Sequence, residues 1–345
     1  NKPSFQPPDT SLALRAGLIS GLFGLVIVVL VTLAVGRSQI NADTIEAIVG
    51  RAQFLPMCLS LFVMSIAFFF LGLRWQALFP PPHKPSGFGL SAILCAGLLL
   101  NSALPGPVGE FGAAWFAHKR YRAPLGMSLA AGMGARIIGM IMAASAALIC
   151  WMVADLPIPD GYEPMIKATA ILVGVLGAGL AAAVVMPTVL AKISAITVGR
   201  IRAIEKIHTL IIEITDALQA LRLAGLSAFF RCIGWSAVAH TCVLTGILIA
   251  AWSLGAAPSL PGLLFTYATT TAAVIVMFAL PGSQVGWDAI FLTLLTTTAG
   301  LSMPDALAVA IVVRVQQLCI MMAGAIALSW LARTNDDGQI EEADG

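Results

Sequence analysis

The length of its apolar runs limits this chain more than any other feature. From about Ala16 to Val35, and again in several later stretches, more than eighteen successive residues are predominantly apolar. An α-helix needs about 20 such residues to cross the ~30 Å hydrocarbon core of a bilayer. The charge content agrees: only 10% of the 345 residues are charged, against about 25% in a soluble domain. The expected fold class is an all-α polytopic membrane protein. The run at 16–35 is too long for the apolar region of a signal peptide and shows no clear cleavage site, so it reads as the first membrane helix. A formal charge of +2 gives no reason to expect a nucleic-acid partner. The six cysteines all fall inside apolar segments, without metal-ligand or disulfide spacing, and read as small packing residues.

Two apolar runs end in the same way. One closes with Leu104-Pro105-Gly106-Pro107-Val108-Gly109-Glu110, the other with Leu280-Pro281-Gly282-Ser283-Gln284-Val285-Gly286-Trp287-Asp288. A Pro-Gly break at membrane depth survives only where protein or a wet cavity satisfies the freed backbone groups. The charges decide what the breaks do. If 88–104 and 262–280 each descend partway and return through 107–117 and 286–299, three basic residues lie outside (Arg37, Arg51, Lys167). Three more lie within membrane segments (Arg136, Arg231, Arg314). The remaining thirteen of the nineteen Lys and Arg then lie inside, as the positive-inside rule requires. The expected layout is six full crossings, at about 12–36, 54–73, 124–153, 166–187, 225–254 and 305–331. Two re-entrant helical hairpins, 88–117 and 262–299, complete it, with both termini inside. Three crossings separate the hairpins, so they enter from opposite faces as an inverted repeat, a frequent plan in secondary transporters.

The domain reading follows: a single integral membrane domain over 1–334, with repeat-like units at about 54–153 and 225–331. An amphipathic surface segment spans 190–222, and an acidic tail, 335–345, is expected to be disordered. The repeat extends past the breaks, because Arg136 follows Glu110 by twenty-six residues and Arg314 follows Asp288 by the same number. Each acid is expected in the first turn of its returning half-helix, and each Arg near mid-membrane. A lone charge there is costly, so each Arg is expected beside its acid. The half-helix N-termini with Arg136 and Arg314 would also suit an anion such as a phosphate. The candidate substrate-binding residues are therefore Asn101, Pro105, Gly106, Gly109, Glu110, Arg136, Pro281, Gly282, Gly286, Asp288 and Arg314. Arg231 can snorkel, His240 reads as an interhelical hydrogen-bonding residue, and the threonines at 269–271 and 296–298 as bonding their own helices. No nucleophile constellation, nucleotide loop, cofactor motif or metal site is legible, and no catalytic activity is expected.

The stretch from Asn101 through Pro105, Gly106, Gly109 and Glu110 resembles the first signature of the lysylphosphatidylglycerol synthase transmembrane family. Pro281, Gly282, Gly286, Asp288 and Arg314 are similar to its second signature, and Arg136 to the Arg after the first hairpin. The resemblance spans roughly 10–332. Where the family often carries charge, this sequence has Ala113, Ala135, Gly139 and Trp287, so an aminoacylated lipid is not carried over as substrate. The resemblance implies a flippase-like membrane domain without a fused synthase. Such a domain would move a polar or anionic membrane lipid across a bacterial inner membrane through a midplane cavity. The alternatives are a non-transporting scaffold that presents lipid to a lipid-modifying enzyme, and an ion-coupled transporter of a small solute. A homo-oligomer or a lipid-synthesis enzyme is the expected protein partner.

Overall fold

The structure is a computed structural model that describes residues 50–79, 84–103, 108–157, 205–277 and 283–343, with single positions at 46, 164, 171 and 174. Among the described residues the regular elements are all helices: α1 (Phe54–Ala77), α2 (Gly87–Ala103), α3 (Val108–Tyr121), α4 (Leu125–Val153), α5 (Glu205–Ser253), α6 (Leu260–Met277), α7 (Ser283–Thr297) and α8 (Met303–Ala343). Most of the crossings expected at 12–36 and 166–187, and the segment 190–204, lie outside the described residues.

Four stretches are long and apolar enough to cross a membrane: Phe54–Ala77, Leu125–Val153, Gly225–Ser253 and Met303–Ala327. They match the crossings expected at 54–73, 124–153, 225–254 and 305–331. Their outer faces carry large apolar side chains in the open, with Phe54 80%, Met152 78% and Val153 82% exposed. A helix that is apolar all round belongs in lipid or in a core. The protein is an integral membrane protein.

Helix α5 is two helices in one. Gly225 has φ 79° and ψ 171°, a conformation that a side chain disfavours. It separates the polar helix at 205–224 from the apolar span that follows. At the other end of the chain, α8 has helical backbone to Ala343, which takes in most of the tail expected to be disordered. Its Ala, Glu and Gln residues accept helical geometry readily.

The remaining elements form two close pairs. Helices α2 and α3 have 17 and 14 residues, α6 and α7 have 18 and 15, all short of the ~20 that a full span needs. Each pair is antiparallel. In the first, Ser86 Oγ lies 3.2 Å from Tyr121 Oη at the open end, and Gly97 abuts the Gly109 backbone. In the second, the Ser259 N–H donates to the Ala299 carbonyl at 3.0 Å, and the Thr266 and Thr298 hydroxyls meet at 3.0 Å. The breaks 104–107 and 278–282 join the far ends of the two pairs and lie outside the described residues, so Pro105, Gly106, Pro281 and Gly282 have no described geometry.

The two units interlock. Helix α1 and the apolar part of α5 run antiparallel along their whole length. Gln53 N–H donates to the Ser253 carbonyl at 2.8 Å, Ser60 Oγ–H to the Gly246 carbonyl at 2.7 Å, and Phe70 stacks on Trp235 with centroids 5.4 Å apart. The last helix of each unit packs on the hairpin of the other, α8 on α2 and α4 on α6. Met321 and Ala325 meet Ala96 and Leu99 in the first of these contacts. In the second, Ala147 and Cys150 meet Phe265 and Ala268. Helix α4 comes close to its neighbours because its buried face is Ala, Gly and Ser at Ser128, Ala131, Ala135, Gly139 and Ala143. Small residues let membrane helices approach without voids.

Candidate functional site

The packed helices leave a cavity of about 290 Å³ whose polar lining includes Arg74, Glu110, Ser128, Arg136, His240, Tyr267, Thr271, Arg314 and Gln317. Every helix that supplies these groups does so from a fixed register. Glu110 is in the first turn of α3, where the partial positive charge of a helix N-terminus favours a carboxylate. Asp288 departs from that expectation. Helix α7 starts at Ser283 and has no acid in its first turn, so Asp288 stands one turn further in and gains its support from side chains instead. Arg136 and Arg314 are each the twelfth residue of their helices, α4 and α8. At 1.5 Å per residue that is about 17 Å from the helix start, near mid-membrane.

Both expected pairs are present. Arg136 forms an ion pair with Glu110, and Arg314 forms one with Asp288. The second is the more enclosed: the Arg314 side chain is 8% exposed and that of Arg136 24%. Arg314 also donates to Gln317 Oε1 at 3.2 Å and sits 5.1 Å from the ring centroid of Trp287, a cation–π contact. Trp287 in turn stacks on Phe291, with centroids 4.7 Å apart. Trp287 thus supports the guanidinium from its face.

His240 ties three helices together. Its Nε2 lies 3.0 Å from the Gly139 carbonyl of α4 and its Nδ1 lies 2.6 Å from Tyr267 Oη of α6. A carbonyl only accepts, so Nε2 carries the proton and Nδ1 accepts from the phenol. This is the interhelical role expected of His240. Most of the threonines also behave as expected: Thr270, Thr297 and Thr298 donate to carbonyls of their own helices four residues back. Thr269 does not, and its buried hydroxyl has no hydrogen-bond partner.

Of the other candidate residues, Gly109 is buried on the cavity wall and Gly286 is half-buried at the start of α7. Asn101 is in the last turn of α2, with no described side-chain geometry. Sequence reasoning missed Gln316 and Arg74. Gln316 is buried and accepts from Ser60 Oγ at 3.0 Å, which fixes α8 to α1. Arg74 is one of the thirteen basic residues expected on the inner side, yet it is 8% exposed and faces the cavity. A signal was available: the apolar run does not stop at Arg74 but continues through Trp75, Ala77, Leu78 and Phe79, all of them buried.

Apolar spans, paired shorter helices and buried ion pairs around one polar cavity define an integral membrane protein with a charged interior. The chain belongs to the lysylphosphatidylglycerol synthase transmembrane family: the family model described as the lysylphosphatidylglycerol synthase TM region matches residues 18–325. Membership sets it among membrane proteins concerned with lipid. No curated protein and no solved structure gave a match.

Proposed function

We propose that the protein is a flippase-like lipid transporter of a bacterial inner membrane, with both termini cytoplasmic. In this reading α2–α3 and α6–α7 are re-entrant hairpins that enter from opposite faces, within six full crossings and an inverted repeat. The polar or anionic head group of a membrane lipid enters the cavity between the units while its acyl chains stay in the bilayer. Glu110, Arg136 and Arg314 contribute to its polar lining, with Asp288 behind Arg314 as its ion-pair partner and the Pro-Gly breaks, Gly109 and Gly286 shaping the wall. The chain itself carries out no covalent chemistry, and a lipid-synthesis enzyme is its natural partner.

One observation carries the reading. Glu110, Arg136 and Arg314 of two ion pairs line a single cavity, each Arg about 17 Å into a long apolar helix. A purely structural pair would have its surroundings filled with apolar side chains. Here two Arg and a Glu line open volume. The test is reconstitution into vesicles that contain a head-group-labelled phospholipid, with the rate at which inner-leaflet label becomes accessible to a membrane-impermeant quencher. Movement well above protein-free vesicles, lost on Arg136→Ala and Arg314→Ala, is expected. A rate equal to that of protein-free vesicles would favour the scaffold reading.

A further inference from the structure

Arg74 is the exception in the cavity. It is in the last turn of α1, 8% exposed, and its Nε is buried without a hydrogen-bond partner. Among the described residues no carboxylate forms an ion pair with it. The carboxylate that lines the same cavity, Glu110, is engaged by Arg136. Packed around Arg74 are Gly139 and Arg136 from α4, Cys232 and His240 from α5, and Tyr267 from α6. Gly139 is a close neighbour: a Cβ added there would run into the Arg74 guanidinium, meeting Nη1 first. The guanidinium therefore fills the space that a side chain at position 139 would take.

The charge balance of the site follows. Three guanidiniums, Arg74, Arg136 and Arg314, face two carboxylates, Glu110 and Asp288, and each carboxylate is already engaged by its own Arg. The His240 ring is occupied on both nitrogens in its neutral form. One positive charge is left over. An uncompensated charge within a bilayer is costly, and the planar fork of Arg suits a phosphate.

We infer that Arg74 is the primary phosphate ligand of the cavity and that the cavity selects lipids of net negative charge, phosphodiesters whose head group carries no compensating ammonium. The inference rests on the transport reading above for its lipid, and it adds the sign of the charge. A zwitterionic choline head group leaves the local charge at +1 when bound. A head group esterified with lysine brings two ammonium groups and raises it further. The site is thus set against the aminoacylated lipid for which the family is named, and in favour of its unmodified anionic precursor.

The experiment uses the full chain in neutral detergent and reads the melting temperature as short-chain phosphatidylglycerol, short-chain phosphatidylcholine or inorganic phosphate is added. Phosphatidylglycerol is expected to raise it at concentrations at least tenfold below those at which phosphatidylcholine does. Inorganic phosphate should need far higher concentrations than the lipid, since it lacks the acyl chains. Arg74→Gln should abolish the preference while melting no lower than wild type without lipid, because the change removes an unpaired charge. Arg74→Lys should keep part of it. Gly139→Asp, which sets a carboxylate against Arg74, should abolish the preference with Arg74 intact, and gives an independent reading if Arg74→Gln folds poorly. Equal responses to the two lipids, or a preference that survives both changes, would overturn the inference. Inorganic phosphate acting as well as phosphatidylglycerol would overturn the assignment to a lipid. Failure of the transport reading is separable. A protein that binds phosphatidylglycerol through Arg74 but moves no labelled lipid loses only that reading. One that moves both lipids equally, whatever stands at position 74, loses only this inference.

Discussion

His240 donates from Nε2 to the carbonyl of Gly139 at 3.0 Å, and that one bond joins the middle of the apolar part of α5 to the middle of α4. The same ring accepts from Tyr267, which is 8% exposed. Replacing His240 by Phe keeps the volume and deletes both bonds, leaving a buried hydroxyl and a helix carbonyl to find other partners. A buried group left unsatisfied costs about 1–3 kcal/mol, and interhelical bonds in membranes fall at the low end of such values. A loss of about 1 kcal/mol is expected, read as a lower unfolding midpoint in mixed micelles. The partner change Tyr267→Phe should cost less than His240→Phe, since it spares the bond to Gly139.

The Glu110–Arg136 pair separates structural from functional roles. Arg136→Ala leaves a carboxylate alone, and breaking a buried pair typically costs about 3–5 kcal/mol. The double change Glu110→Gln with Arg136→Ala removes both charges and should recover most of that stability. If Arg136 handles a head group, the stable double variant still fails to move lipid in vesicles. Full transport by it would reduce the pair to a structural element.

Gly97 sets the spacing of the first hairpin. A Cβ at this position would come within 2.7 Å of the Gly109 carbonyl oxygen and 2.9 Å of Ala113 Cβ. Neither is the end of a flexible chain, so α3 must move away from α2 and carry Glu110 with it. Gly97→Ala should destabilise by about 1–3 kcal/mol, the usual range for overpacking, and slow transport as well. Gly234→Ala, where a Cβ meets nothing within 4 Å, is the control and should leave both unchanged.

The re-entrant reading is open to a labelling test. A cysteine at position 120, just before the end of α3, belongs on the inner face if α2 and α3 turn back at 104–107. In a background lacking the native cysteines it should stay unmodified by an impermeant thiol reagent in intact cells and react once the membrane is opened. Ready labelling in intact cells would place His118-Lys119-Arg120 outside and replace the hairpin by a full crossing.

Much of the site was legible because it follows from local rules. The equal spacing of Glu110 from Arg136 and of Asp288 from Arg314 needs only helix periodicity and the cost of a lone charge in lipid to predict two pairs, and both form. Asp288 shows the limit of that reasoning. Its place relative to the helix start depends on where α7 begins, and Gln284 and Val285 continue the helix toward the break. The support that Trp287 gives Arg314 could not be read either, because an aromatic beside a charge looks the same in sequence whether the two touch or not.

Apolar run length and the scarcity of charge determined by themselves that this chain is a membrane protein built of helices. Those properties depend on the cost of exposing backbone and charge to hydrocarbon, which is paid residue by residue. Tertiary structure alone decided which charges share a cavity and which one is left over. Arg74 reads as an inner-side charge in sequence, since nothing local distinguishes a guanidinium that reaches water from one that faces a cavity. Only the packing of α4 against α1, close because Gly132 and Gly139 have no side chain to meet Trp75 and Arg74, brings it beside Arg136. Net charge in a cavity is a sum over helices far apart in the chain, and only the assembled fold performs that sum.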